Sequence, residues 1–207
     1  MTPDLSSADV RALRPAHEPP DPWRPLDVME EPEREAGRVA ATATLFLAGG
    51  ECRFTCVFCD LWRFTTPEPT PIGAIPAQID AGLARLVAPI DTLKLYNASN
   101  FFDERAVPAA DDDAILERVG GLERLVVECH PALVAERARR YARELGGRLE
   151  VAMGLETADE ACHARLGKGT RVDDFRRAAE RLHRADADVR IFLLVAPPFQ
   201  ARERRLS

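Results

Sequence analysis

The chain has 207 residues, 46% of them hydrophobic and 30% charged, with a formal net charge of −6. That length buries one good-sized core, and the composition is that of a folded globular chain rather than a disordered or fibrous one. The acidic balance excludes a surface that holds nucleic acid by phosphate contacts alone, while leaving local basic patches open.

No apolar run approaches the roughly 20 residues that cross a bilayer. The N-terminus has neither the basic start nor the apolar stretch of a signal peptide, so the expectation is a cytoplasmic protein without membrane association. Of the 28 basic residues only Lys94 and Lys168 are lysines. That bias reads as a trace of GC-rich coding, and the Arg-rich stretch from Glu136 to Arg143 as a solvated helix face.

In chain order, residues 1–37 carry Pro3, Pro15, Pro19, Pro20, Pro22, Pro25 and Pro32 among many acids. They are expected to form an extended or disordered arm, with Trp23 available to tack it down. Residues 38–207 are expected to form one domain. Val39 to Leu47 reads as a strand ending at Gly49-Gly50. Pro76 suits the first turn of a helix that carries Ile79, Leu83, Leu86 and Val87 at helical spacing. A strand is predicted at Thr92 to Tyr96. Asp111, Asp112 and Asp113 then place acids at a helix N-terminus, and Gly120-Gly121 end that helix.

A third strand follows at Leu125 to Glu128. A helix opened by Pro131 has Val134, Ala138, Tyr141 and Leu145 on one face and closes at Gly146-Gly147. Leu149 to Met153 is a fourth strand. Thr170 with Asp173 reads as a capping box before Val172, Phe175, Ala179 and Leu182, and Val189 to Val195 is a fifth, nearly continuous apolar strand. Five strands alternating with four helices predict an α/β fold, a partial (β/α) barrel of parallel strands with outer helices. Ligands of such sheets gather at the C-terminal strand ends, which directs attention to Asn97, Ser99, Asn100, Glu128 and Glu156. Asn and Ser at such positions also make turns.

Cys52, Cys56 and Cys59 stand on the loop after the first predicted strand, with three residues between the first pair and two between the second. One loop of that length wraps a single metal centre. Cysteine thiolates are the usual ligands of iron–sulfur clusters, and three of them leave one iron of a [4Fe-4S] cluster open. The competing readings are a structural zinc site completed by His17, His130, His163 or His183, and a redox disulfide that leaves the third thiol unexplained. Cys129 and Cys162 read as ordinary buried or helix-surface thiols.

In its context, Cys52-x-x-x-Cys56-x-Phe58-Cys59 resembles the signature of the radical S-adenosylmethionine (SAM) superfamily. Val126-Val127-Glu128-Cys129-His130-Pro131 resembles the glutamate-to-proline turn of members akin to the elongator catalytic subunit, and Met153-Gly154-Leu155-Glu156-Thr157 the family's Gly-x-Glu-Ser/Thr turn. Gly167-Lys168-Gly169, Asp174-Phe175 and Leu193 to Phe199 are similar to the archaeosine synthase radical SAM subunit.

The resemblance implies that Cys52, Cys56 and Cys59 hold a [4Fe-4S] cluster whose open iron takes the amino and carboxylate groups of SAM. One electron then yields methionine and a 5′-deoxyadenosyl radical. It further implies that Phe58 packs near the adenine, that Asn97 and Ser99 meet the amino group, and that Glu156 meets ribose or amino acid. Glu128 joins them as a strand-end carboxylate. It implies a reducing partner such as flavodoxin or ferredoxin and an RNA-base substrate, with a peptide or small metabolite close behind.

Two departures stand out. The family's Gly-Gly-Glu turn after the second strand is replaced by Asn97-Ala98-Ser99-Asn100, while Gly49-Gly50-Glu51 reads as a mere turn. The chain also stops soon after the fifth strand, with the tail Ala201 to Ser207, whereas the family's core has at least six βα units. A truncated barrel is expected, with activity alone in question, a partner-dependent fragment or a zinc-binding domain being the alternatives.

Overall fold

The computed structural model describes residues 5–35 and 37–199; Pro3 and the tail Ala201 to Ser207 lie outside them. In chain order the elements are α1 (Ser7–Ala12), β1 (Asp27–Glu30), β2 (Glu33–Glu35), β3 (Arg38–Ala40), β4 (Thr42–Leu47), β5 (Gly49–Gly50), β6 (Thr65–Thr66) and α2 (Ala74–Leu83). There follow β7 (Thr92–Asn97), α3 (Asp112–Val119), β8 (Arg124–Glu128), α4 (Glu136–Glu144), β9 (Arg148–Glu156), α5 (Glu160–Arg165), α6 (Val172–Arg184) and β10 (Asp188–Leu193).

The main sheet has the order β1-β4-β7-β8-β9-β10. β4, β7, β8, β9 and β10 pair in parallel, each beside its successor, which is the expected alternation of strand and helix in an open, partial barrel. Side chains alternate along each strand. Ala43, Leu45 and Leu47, Leu93 and Leu95, Leu125 and Val127, and Leu149, Val151 and Met153 therefore face one way and pack with Ile79, Ile115, Tyr141, Phe175 and Leu182 of the helices. Each such buried side chain contributes roughly 1.5–3 kcal/mol. The intervening residues, among them Phe46, Lys94, Tyr96, Glu128, Glu150 and Arg190, face the concave side.

The concave side is filled at the N-terminal half of the strands by charges. Glu33 of β2 pairs with Lys94 at 2.9 Å and with Arg190 at 3.0 Å. Arg190 also pairs with Glu150, and Arg124 reaches Glu150 at 2.9 Å and Asp188 at 2.6 Å.

Within the first 37 residues, expected to form an extended or disordered arm, the described part carries regular secondary structure. β1 pairs antiparallel with β4 and forms an edge of the main sheet, and β2 pairs with β3. Pro25 and Pro32 flank β1 instead of interrupting it, and an edge strand tolerates prolines there because only one side of its backbone is paired. α1 is a short capped helix in which Ser6 and Asp9 bond reciprocally.

Smaller differences have local causes. The single strand from Val39 to Leu47 divides into β3 and β4 at Ala41, whose N–H donates to Asp91 Oδ2 at 2.9 Å and whose carbonyl receives Asp91 N–H at 2.8 Å. The helix after Pro131 divides into a 3-10 turn, Pro131–Leu133, and α4, because Val134 is extended. α6 is capped by Asp174 accepting from Arg171 N–H at 2.8 Å, one residue beyond the predicted box. α5, six residues long, is too short to show a helical period. On α4, Arg137 turns inward to Asp112 at 2.5 Å and is 14% exposed, unlike its solvated neighbours Arg139 and Arg143.

Candidate active site at the C-terminal strand ends

The cysteine loop is held in place from three sides. Arg53 makes a two-pronged pair with the buried Asp103, Nε and Nη2 each donating at 2.7 Å. Val57 N–H donates to Leu166 O at 3.0 Å, tying the loop to the turn that begins at Gly167. From the N-terminal arm, Arg14 pairs with Glu51 at 2.6 Å and lies over the Trp62 ring, while Thr55 Oγ1 donates to Ser7 Oγ at 2.7 Å. Gly49-Gly50 is not a free turn. It pairs with β6, and a Cβ on Gly50 would run into the carbonyl of Arg105. Both glycines are therefore demanded by a close backbone approach.

Cys52, Cys56 and Cys59 line a cavity of about 250 Å³ together with Phe58, Ser99, Glu128, Glu156 and Lys168. Of the residues expected from sequence, all but Asn97 share this wall; Asn97 is buried beside it. The three thiols lie close enough to act on one another. Burial pushes each above the ordinary thiol range, with the charge of Asp103 adding to it at Cys52 and the neighbouring thiols adding to it at Cys56 and Cys59, and it takes Cys56 to about 11. They are thus protonated at neutral pH, and a metal that bound them would have to displace those protons. Asn100 Nδ2 donates to Cys52 Sγ at 3.2 Å while its Oδ1 accepts from His130 N–H at 2.7 Å. Such donors to sulfur tune a ligated thiolate.

Behind the cavity, Glu156 has φ 66, a left-handed conformation that costs a non-glycine residue on the order of 1–3 kcal/mol. Its carboxylate accepts from Lys168 Nζ at 2.9 Å. A Cβ on Gly154 would strike Glu156 Oε1, so glycine makes room for the pair. Lys168 Nζ also stands 5.7 Å from the centre of the Phe58 ring.

Glu128 has a different environment. Burial, reinforced by the charge of Glu156, raises its carboxyl to about 7. Asn97 keeps both amide atoms, and Ser99 its hydroxyl, buried without a hydrogen-bond partner, Ser99 lying beside the Cys52 thiol. Buried polar groups are rarely left so unless a ligand completes them.

His130, the histidine on this wall, stacks on Phe54 with ring centres 3.6 Å apart. Its Nε2 meets Lys168 O at 3.1 Å and its Nδ1 accepts from Ala132 N–H at 3.3 Å. Burial, with the nearby Lys168, holds it neutral, at about 4. Both nitrogens are engaged, which leaves no lone pair for zinc. Among the described residues no three His, Cys, Asp or Glu side chains converge on a point fit for one metal ion. A cubane asks for something else: each thiolate takes a separate iron. Three thiols around one cavity, a buried carboxylate and unpartnered hydroxyl and amide groups fit a cluster with a polar cofactor beside it.

Reading along the chain missed Lys168 as a site residue, as it missed the anchoring pair Arg53–Asp103. The signal for Lys168 was present: one of two lysines in a chain that otherwise uses arginine, set between two glycines with φ 73 and 70. Cys129 is buried, as expected, with its thiol pushed by burial to about 12. Cys162 is likewise buried, its Sγ 2.9 Å from Pro198 O.

Comparison with known proteins agrees with this geometry. The chain is 24% identical over 204 residues to archaeosine synthase subunit beta of Methanosarcina acetivorans, covering 93% of this chain and 57% of that protein. To archaeosine synthase subunit beta of Thermococcus kodakarensis it is 38% identical over 113 residues, covering 52% and 35% respectively. It therefore spans little more than half the length of the first relative and about a third of the second. Among solved structures, a queuine lyase from Clostridium spiroforme bound to SAM and queuine superposes with a TM-score of 0.52 at 17% identity, covering 80% of this chain and 82% of that one. Its fold is shared. No helix among the described residues is long and apolar enough to cross a membrane. The Radical SAM superfamily model matches residues 46–205, and with the strand order and the cysteine loop at the strand ends this establishes that the chain belongs to the Radical SAM superfamily.

Proposed function

We propose that Cys52, Cys56 and Cys59 hold a [4Fe-4S] cluster and that the chain reductively cleaves SAM to modify a substrate, with a base of RNA as the leading class. The carrying observation is that the three thiols share one cavity wall with Ser99, Glu128 and the Glu156–Lys168 pair. Bound there, a cluster with an open iron and SAM supply one-electron chemistry that ends in methionine and a 5′-deoxyadenosyl radical.

The chain's own residues have separate tasks. Ser99 and the neighbouring Asn97 offer unpartnered polar atoms to the amino acid end of SAM, and each such bond removes the cost of a buried orphan. Glu156, paired with Lys168 at 2.9 Å, accepts from amino or ribose hydroxyl donors. Phe58 gives the adenine an apolar face, and the cation near its ring fixes its position. Phe54, stacked on His130, closes the cavity's side and keeps water from a reactive radical. A small reducing protein of the flavodoxin or ferredoxin type supplies the electron.

The relatives' name, archaeosine synthase subunit beta, favours RNA over a peptide or small metabolite and suggests that a further subunit completes the assembly. The test is anaerobic reconstitution with iron and sulfide, metal analysis, and chromatography for 5′-deoxyadenosine after addition of dithionite and SAM. About four irons per chain with 5′-deoxyadenosine formed upholds the reading. Colourless zinc protein, or iron uptake without SAM cleavage even when a partner subunit is supplied, overturns it.

A further inference from the structure

Lys168 is 8% exposed on the wall of the cysteine cavity, and the segment around it is built to hold it there. Gly167 and Gly169, on either side, adopt φ 73 and 70. A Cβ on Gly167 would meet Thr55 O at 3.3 Å and Val57 Cγ1 at 3.5 Å, so the turn packs directly on the stretch of loop around Cys56. Leu166 O accepts from Val57 N–H at 3.0 Å, and Lys168 O meets His130 Nε2 at 3.1 Å. These contacts fix the turn and with it the ammonium. Its Nζ donates to Glu156 Oε1 at 2.9 Å and stands 5.7 Å from the centre of the ring of Phe58, the residue before Cys59.

This pair of opposite charges points one way. Burial raises the Cys56 thiol, and the charge of Lys168 is the largest influence against that rise, while the charge of Glu156 ranks below it and acts with burial; Lys168 also opposes the rise at Cys59. The positive end therefore faces the thiols. Arg14 also lines the cavity, but it pairs with Glu51, which directly precedes Cys52 and is 32% exposed, so both signs reach the same place beside screening water. We infer that Lys168 sets the reduction potential of the cluster held by Cys52, Cys56 and Cys59, its ammonium favouring the reduced form, with Glu156 as the positioning residue that holds the ammonium. The inference deepens the proposed function and rests on its cluster. Reduction brings in one electron from the reducing protein, with no bond made or broken at Lys168, and adds one negative charge to a centre that already carries three thiolates. A buried cation stabilises that more negative form the more strongly of the two.

The experiment is a potentiometric titration of the full chain reconstituted with iron and sulfide, without SAM, read by the electron paramagnetic resonance of the reduced cluster. At a fixed potential, Lys168→Met should lower the ratio of reduced to oxidised cluster about tenfold, a shift of about 59 mV for a one-electron couple. Lys168→Arg keeps the charge and should stay within about twofold of the parent. The double variant Lys168→Met with Glu156→Gln removes both signs and should lower the ratio about threefold, because the nearer charge outweighs the farther one.

A merely structural role would not order the three variants by charge. A ratio unchanged in Lys168→Met, even where SAM binding weakens, or a fall in Lys168→Arg as large as in Lys168→Met, overturns the inference and leaves the proposed function standing. Should Lys168→Met assemble no cluster, the double variant, in which no buried carboxylate is left unpaired, decides by the same measurement: a fall of about threefold upholds the inference and an unchanged ratio overturns it. A parent chain that takes up no iron and sulfide overturns both readings together.

Discussion

The two halves of the concave surface carry similar residues to opposite ends. At the N-terminal half of the strands, Lys94, Arg190 and Arg124 meet Glu33, Glu150 and Asp188 in a closed network in which every named charge has an opposite charge in contact. At the C-terminal ends, Glu128 has a like charge for its neighbour, Asn97 and Ser99 lack partners, and three thiols are kept protonated by burial. Satisfied charges hold the barrel's floor together. Unpartnered polar groups beside the cysteine cavity fit a place where a polar ligand completes them.

That contrast can be broken at either end, and the largest effect is expected at the thiols. Cys56→Ser should abolish cluster assembly and reduce 5′-deoxyadenosine formation at least about 1,000-fold, while leaving the far-UV circular dichroism unchanged, because the loop is anchored by Arg53–Asp103 and Val57 rather than by its sulfurs. A related check is pH. Since the thiols are raised above the ordinary range, iron and sulfide incorporation should become faster between pH 7 and pH 9.

Glu128 comes next. Its folded value of about 7 lies above the ordinary 4.5, so between these values the native state keeps a proton that the unfolded chain has released. Stability must fall as pH rises through that window and level off above it. Glu128→Gln removes the penalty, and the variant should gain on the order of 3 kcal/mol relative to the parent between pH 4.5 and pH 8, read by urea unfolding at both.

Glu33 behaves in the reverse sense. Burial raises its carboxyl, but hydrogen bonds from Arg190 and Lys94 outweigh burial and hold it below its ordinary range. Its contribution is present above pH 4.5 and lost as acid protonates it. Glu33→Gln should cost about 2 kcal/mol at pH 7 and progressively less toward pH 3, with SAM binding unchanged.

The smallest effect is expected for Arg53→Ala. Arg53 is 51% exposed, so the loss should be about 1 kcal/mol in stability, with slower cluster assembly as the loop's geometry loosens. A larger loss in stability than for Glu33→Gln would reverse the division between a structural floor and a functional rim.

Much of this was legible along the chain. Strand and helix periods located the five parallel strands because β4, β7, β8 and β9 each bury an apolar face against helices, a local signature, while β10 carries an apolar sequence on a partly exposed strand. The cysteine spacing is equally local, since one loop must wrap one centre. What the chain order concealed was every partnership across it. Glu33 looked like one acid of a proline-rich arm until Lys94 and Arg190 faced it, and β1 gained its place in the main sheet only through its pairing with β4.

Sequence by itself therefore determined the alternation of elements, the apolar face of each strand and the place of the cysteine loop, all of which depend on residues within a turn or two of one another. Only the tertiary structure decided that Lys168 stands on Glu156, that Asn100 joins Cys52 to His130, and that Glu128 is raised by burial and then by a neighbouring carboxylate. Those are effects of distance and burial between segments that no spacing rule connects, since the energy of a charge depends on how far its neighbours stand and how much water reaches it.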